Sequence, residues 1–355
     1  MWDGTRLGFF LISDADNPST VGGNFPAATI RVPRGKIFHG EVQGAGPPPH
    51  TIHWHGIEPT ALNDGVGHCS MEIGRYLYQF QPNFIGTYFY HCHRNTVQHF
   101  EFGLYGLLII EPPNAYDGPN ALGFPRRTAA NLAAFPQFPG FNASPLESGD
   151  PEAMTVPYDV EAFWVAQTVD PTWHITASDP RAFFPAQGNP IGLNDSFPHG
   201  FFNDYRPKYF FITSIPLAAP AESSAAIPSG LALPPALNSG VTGTQISINA
   251  RVGQTIFIRC LDASYGWIRV MLPPETLDLV IIEWDGRALG VPPCNKYTHP
   301  ILVPAGTPIE FSVARRFGAL MRATAPISTF ATVEFMSHEG NRLEFTARIP
   351  INITP

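Results

Sequence analysis

The chain has 355 residues, which is long for one ordinary domain and suits two joined by a long connection. Charged residues make up only 14%, while 32 Gly, 38 Pro and 27 Phe sit among 44% hydrophobic residues. That mixture excludes a helical bundle and a disordered chain, and it points to a β-rich protein full of turns. The net charge of −8, with 21 Lys and Arg thinly spread, argues against a nucleic-acid partner, and no apolar run reaches the length of a membrane span.

Short strand-like runs recur with turn residues between them. Met1-Trp2-Asp3-Gly4-Thr5-Arg6 lacks the basic start and apolar stretch of a secretory signal, which leaves a cytosolic chain or a mature or engineered start. Thr29 to Val32 leads through Pro33-Arg34-Gly35 into Lys36 to Val42, which alternates as a strand does. Tyr76 to Phe80, Gly86 to His91 and Leu104 to Ile110 continue the pattern. About eight such strands in about 110 residues fit a Greek-key sandwich. Residues 113 to 155 carry turn and linker chemistry. Strand patterning resumes at Tyr158 to Ala166 and Lys208 to Ile215, breaks over the Ala/Pro/Ser-rich Pro216 to Gly240, and returns at Gln245 to Val252 and Thr255 to Arg259. Leu277 to Trp284, Pro308 to Ala314, Phe330 to Met336 and Leu343 to Ile349 complete the second half. The predicted fold is all-β, two Greek-key β-sandwiches. The predicted domains are residues 1–113, a linker at 114–154, and residues 155–355.

The histidines carry the chemistry. Eight of the 12 lie in the first 99 residues, and six of those fall in two clusters, His50-x-x-His53-Trp54-His55-Gly56 and His91-Cys92-His93 with His99. On a strand, residues two apart share a face. His53 and His55 therefore point together, as do His91 and His93, and Cys92 points the opposite way. A thiolate with two imidazoles and a weak axial partner makes a blue-copper site, and His50, Cys92 and His99 can supply those ligands. Four imidazoles on the other face suit further copper ions. Zinc is the competing metal, but a Cys flanked by His on both sides is an unusual zinc set. His39, His68, His174, His199, His299 and His338 are scattered and expected to be structural or exposed.

The first 113 residues resemble a cupredoxin domain of the multicopper oxidases, laccase-like enzymes. Phe25-Pro26-Ala27-Ala28-Thr29-Ile30-Arg31-Val32-Pro33-Arg34-Gly35 is similar to that family's opening strand and turn. His53-Trp54-His55-Gly56 resembles the motif of its first domain. His50-x-x-His53-x-His55-Gly56 and His91-Cys92-His93 with His99-Phe100-Glu101-Phe102-Gly103-Leu104 resemble its last. Five residues separate His93 from His99 where the family usually has three. The resemblance implies two cupredoxin-like sandwiches, with type 1 copper on His50, Cys92 and His99 and Leu104 at the axial position. It implies type 2 copper on His53, type 3 copper on His55, His91 and His93, and a proton-delivering catalytic Asp64. The turn Asn63-Asp64-Gly65 alone would also explain Asp64. The second half is similar to the family's non-catalytic domain, through Tyr205 to Ile212, Val252 to Thr255, Leu261 to Ser264 and Trp284-Asp285-Gly286.

The family's trinuclear cluster takes eight His, and this chain offers four. The implied solution is a homo-oligomer in which two copies pool their His at a subunit interface; a neighbour lending His338 or His299 is the runner-up. The implied function is an oxidase. An electron donor (a small molecule, a metal ion or a redox protein) reduces type 1 copper, and dioxygen is reduced to water at the cluster. A copper nitrite reductase-like enzyme and a blue-copper electron carrier or structural protein stay open. Copper chemistry and any disulfide suit a periplasmic or extracellular place. Cys69, Cys260 and Cys294 allow one disulfide or none. Some relatives place a bridging Cys near Cys69, which implies a pair with Cys260 or Cys294.

Overall fold

The computed structural model describes residues 1–13, 25–44, 50–57, 59–66, 75–94, 96–112, 126–138, 155–177, 205–217, 224–227, 244–291 and 299–355. The first half contains β1 (Ala27–Pro33), β2 (Phe38–Gln43), β3 (His53–His55), β4 (Arg75–Phe80), β5 (Gly86–His91), a short helix α1 (Thr96–Glu101) and β6 (Tyr105–Glu111). One sheet runs β1-β6-β5-β3, and β2 pairs with β4 in a second ribbon. β1 lies parallel to β6; β5 is antiparallel to both β6 and β3.

Every residue of β5 and β6 is buried, and the period of two divides them between two cores. Tyr88, Tyr90, Leu108 and Ile110 join Trp54, Tyr78 and Phe80 inside the first sandwich. Phe89, Leu107 and Ile109 point the other way, into a core shared with the second half. His91 follows Phe89 by two residues and takes that same side, which is how an alternating strand delivers an imidazole to the junction of the halves.

The second part opens with β7 (Arg126–Ala129), paired with β8 (Thr155–Tyr158). Residues 114–154, expected to be a linker, therefore contain a strand. There follow β9 (Val160–Val169), α2 (Pro171–Ala177), β10 (Tyr209–Ile212), β11 (Ile215–Pro216), β12 (Ser224–Ala226), β13 (Thr244–Gln245) and β14 (Ile248–Arg251). β15 (Thr255–Asp262), β16 (Trp267–Met271), β17 (Leu279–Trp284), β18 (Arg287–Ala288) and β19 (Ile301–Val303) come next. The last are β20 (Ile309–Ser312), β21 (Arg316–Arg322), β22 (Ile327–Met336) and β23 (Leu343–Thr354). A nine-stranded sheet centred on β9, β15 and β21 packs against a six-stranded sheet centred on β23, β22 and β16. The run Lys208 to Ile215, expected to be one strand, breaks at Thr213 and Ser214, whose φ of 45° and 69° turn the chain back into β11. Gln245 to Val252 likewise splits into β13 and β14.

Buried charges fasten the halves together. Arg31 in β1 donates to Glu111 at 2.8 Å and to Glu161 in β9 at 2.5 Å. Arg259 in β15 donates to Glu161 at 2.6 Å and to the Thr87 hydroxyl of β5 at 2.8 Å, and Thr87 in turn donates to Glu283. Such pairs are expensive to desolvate, so they specify one docking geometry more than they add stability. Among the described residues no helix is long and apolar enough to cross a membrane.

Candidate metal centre

The histidine clusters meet because β3 pairs with β5. His53 lies opposite His91 and Trp54 opposite Tyr90 in that register. Trp54 and Tyr90 enter the first core, so His53, His55 and His91 share the other face. A nitrogen from each of these three lies within 4.8 Å of the others. His93, just past the strand, brings its ring to 5.1 Å from His53 and 5.6 Å from His91. His55 and His91 both stack on Phe89.

Hydrogen bonds orient these rings. The His91 Nδ1 donates to the Cys92 carbonyl at 2.9 Å, which leaves its Nε2 outward, 3.3 Å from the His55 Nδ1. The His53 Nδ1 donates to the Asp64 carbonyl at 2.7 Å and stands 3.3 Å from its carboxylate. A second ring nitrogen is thereby left for a ligand, as metal-binding histidines require. Asp64 reaches this position through a tight turn: Gly65 has φ +75°, and a Cβ there would lie 1.7 Å from the Ile52 carbonyl oxygen. Burial lowers the pKa of His91 to about 3 and of His55 to about 2. The Arg316 guanidinium adds to the His55 shift and lies over Phe89 at 5.4 Å. Both imidazoles are accordingly neutral, with free lone pairs, near pH 7.

Cys92 points to the opposite side. Its Sγ lies 3.1 Å from the His99 Nδ1 and 3.8 Å from the His50 Nδ1, and the three ligand atoms fall within 4.8 Å of one another. Local structure explains how His99 gets there. α1 ends in a Schellman turn: Gly103, with φ +93°, donates its N–H to the Phe100 carbonyl, and the Leu104 N–H goes to the His99 carbonyl. The Leu104 carbonyl then accepts the Cys92 N–H at 3.0 Å. Leu104, buried, thus ties Cys92 to His99 through its backbone. A Cβ on Gly103 would meet the Phe25 ring at 2.4 Å, so no side chain fits there. Burial raises the Cys92 pKa and lowers that of His99 to about 4. A metal must therefore displace the thiol proton but meets no proton on His99 at neutral pH.

Residues 11–115 match a family model described as multicopper oxidase. Over these residues the chain is similar to a multicopper oxidase domain. This domain is 37% identical over 109 residues to an L-ascorbate oxidase of Cucumis sativus, a stretch covering 28% of this chain and 18% of that protein. It is 31% identical over 105 residues to a copper resistance protein A homolog of Pseudomonas syringae pv. tomato, again 28% of this chain and 18% of the relative. The chain thus spans under a fifth of the length of these curated relatives. Two solved structures share the fold across both halves. The blue copper oxidase from Nitrosomonas europaea aligns with TM-score 0.55 and 18% identity over 93% of this chain and 76% of its own. The multicopper oxidase mgLAC aligns with 0.54 and 18% over 94% and 78%. Both halves of the all-β chain are accordingly cupredoxin-like.

Copper is the cofactor of the multicopper oxidases, and the Cys92 donor set fits it. One thiol and two imidazoles converge, and among the described residues this group has three members. Zinc's tetrahedral preference would ask for a fourth. The structure groups His50, Cys92 and His99, and separately His53, His55 and His91, with the His93 ring beside the second group. It links the Leu104 backbone to both Cys92 and His99 and sets Asp64 on His53.

Of the remaining histidines, His39, His299 and His338 are exposed and His174 is buried; His68 and His199 lie outside the described residues. The Cys260 thiol is free and enclosed in β15, so a Cys69–Cys260 bridge is not formed. Cys69 and Cys294 lie outside the described residues. Sequence reasoning did not find Arg316. Its only signal was a β-run interrupted at Gly318, where a Cβ would strike the Glu283 carboxyl.

Proposed function

We propose that the chain is a laccase-like multicopper oxidase that takes single electrons from a donor at the Cys92 site and delivers them to dioxygen at the imidazole face. The observation that carries this reading is the Cys92–His91 step. Adjacent residues send a thiol into one donor group and an imidazole into the other, so one peptide unit joins the two sites. Copper bound to these groups would supply one-electron redox chemistry and the reduction of dioxygen to water.

The residues divide the work. His50, Cys92 and His99 would hold type 1 copper, with Leu104 at the axial position. With an apolar residue there, bound copper would lack a strong axial ligand, one of the levers on potential. His53 would hold type 2 copper, and His55, His91 and His93 the type 3 pair. Asp64, through its carboxylate beside His53, would pass protons toward oxygen. Phe89 fixes the His55 and His91 rings by stacking on both.

Four imidazoles per chain are half of the eight such a cluster needs in this family. The cluster would be completed between subunits of a homo-oligomer, an isologous pair bringing the same patch opposite itself. Exposed His338 or His299 of a neighbour is the other donor geometry. The electron donor would be a small molecule, a metal ion or a redox protein, and the location periplasmic or extracellular.

Copper per chain, visible absorption, EPR and mass in solution, all on one purified sample, test the reading. About 2.5 coppers per chain with intense blue absorption is expected for a shared cluster in a dimer. About two would favour the nitrite reductase-like arrangement, and one the electron carrier. A strictly monomeric chain that reduces dioxygen to water would overturn the shared cluster.

A further inference from the structure

We propose that His174, in the second half, is a positioning residue for the Cys92 site, acting as a hub for the two segments, residues 8–10 and 99–103, that build its wall. The proposal rests on reading His50, Cys92 and His99 as a metal site.

The contacts converge on one buried ring. The Nε2 of His174 donates to the Gly8 carbonyl at 2.8 Å. Its Nδ1 stands 3.4 Å from Glu101 Oε1, at the end of the helix that carries His99. Its face stacks on Phe102 at 4.2 Å and 20°. Each segment then continues to the site. Gly8 leads through Phe9 to Phe10, whose ring meets His99 at 5.8 Å and His50 at 6.5 Å. Phe102 stacks on Phe10 at 4.7 Å, and its carbonyl accepts the Phe10 N–H at 2.8 Å. Glu101 lies two residues beyond His99, and Phe102 precedes the Schellman glycine.

His174 is itself firmly set. Asp170 caps α2, its carboxylate accepting the Thr172 N–H at 2.7 Å, and Pro171 occupies the first helical position. The Asp170 N–H donates to Glu101 Oε1 at 2.8 Å. The Asp170 carboxylate also takes the Arg206 N–H at 2.8 Å, which ties α2 to the strand region of β10. An imidazole is suited to the task, because it offers two polar edges in opposite directions and a flat face between them. His174 is only 2% exposed; Gly8, Glu101 and Phe102 account for both nitrogens and one ring face, and the Phe9 ring meets it at 5.1 Å. Packing alone would accept an aromatic ring of similar size; the polar contacts at both ring nitrogens would not.

The test reads Cys92 with and without metal. Metal-free wild type, His174→Phe, His174→Gln and Phe102→Leu are pulsed with a small alkylating agent, and the labelled peptides are mapped by mass. Cys260, also buried, serves as the internal reference. We expect His174→Phe to speed Cys92 alkylation about tenfold, the order released when buried hydrogen bonds no longer oppose local opening. Cys260 should not change. His174→Gln, which keeps a donor toward Gly8, should restore most of the protection, and Phe102→Leu should fall between. On copper(II) addition, the thiolate charge-transfer band should shift in the same rank order. Equal rates at Cys92 in wild type and His174→Phe, or parallel acceleration at Cys92 and Cys260, would overturn the proposal. Absence of a thiolate band in wild type would remove the metal reading, while the alkylation ranking would still decide the positioning role.

Discussion

The two donor groups on either side of the Cys92 backbone are built differently. The Cys92 site is closed: His99 and Cys92 are buried, Phe10 and Phe102 stand over it, and a helix cap fixes its geometry. The imidazole face is open: His53, His55 and His93 are only half-buried, on the edge strand β3 and the loop after β5. The closed site has the donors it needs from one chain. The open face presents the imidazoles of His53, His55, His91 and His93, with a buried arginine, Arg316, beside it. On the reading proposed above, the walled-off site is complete within one chain and the accessible one would take further ligands.

The sharpest way to break that contrast is Gly65→Ala. The left-handed φ and the 1.7 Å approach of a Cβ to the Ile52 carbonyl both oppose it. We expect a loss of roughly 3 to 5 kcal/mol from backbone strain and overpacking, read by urea unfolding. The damage falls on the turn that holds Asp64 on His53, so bound copper should be lost from the imidazole face before the blue absorption of the Cys92 site. Simultaneous loss of both would mean the two sites fold as one unit.

The contrast was partly legible in the sequence. Period-two alternation placed His53, His55, His91 and His93 on one face and Cys92 on the other, because strand geometry converts spacing directly into direction. The helix under His99 was not legible: six residues from Thr96 to Glu101 are too few for a periodic signal, and its Schellman end shows only as Gly103. The contributions of the second half were hidden for another reason. Arg316 and His174 meet the sites across sequence separations that no local pattern encodes, and Asp170-Pro171 announces a helix without saying what its histidine touches. β21 escaped because Gly318 interrupts its apolar run, although the glycine is there to admit Glu283.

Asp262 sharpens the contrast from the side of Arg316. Its carbonyl accepts the Ala314 N–H and its N–H donates to the Arg315 carbonyl, so it carries the loop that leads to Arg316. Burial raises its carboxyl from 3.8 to about 7. The folded state then keeps a proton that the unfolded state releases. Stability from this group is therefore full below about pH 4, falls as pH rises toward about 7, and is level above that. Asp262→Asn should remove this slope and stabilise the protein at pH 8 by on the order of 3 kcal/mol, with little change at pH 4. Denaturation at the two pH values checks it. An unchanged slope would mean the carboxylate is ionised in the fold.

Cys92→Ala isolates the closed site. The thiol is 1% exposed, and its loss leaves a small cavity worth about 1 kcal/mol. The blue absorption should vanish and copper should fall by one per chain, while the EPR of copper held by imidazoles persists. Loss of all copper would show that the open face depends on the closed one for its assembly.

Asp64→Asn is the mildest change to the open face and the most informative about its chemistry. The carboxyl is partly exposed, at 26%, so stability should move by no more than about 0.5 kcal/mol. The 2.7 Å bond from His53 to the Asp64 backbone carbonyl does not involve the side chain and should survive. What is removed is a group able to carry a proton, together with the charge that stands 3.3 Å from the His53 Nδ1. If Asp64 delivers protons, oxygen consumption should drop at least about tenfold while blue absorption and copper content stay fixed. If consumption is unchanged, Asp64 acts only through its backbone, as the residue that aims His53, and protons reach the face by another route.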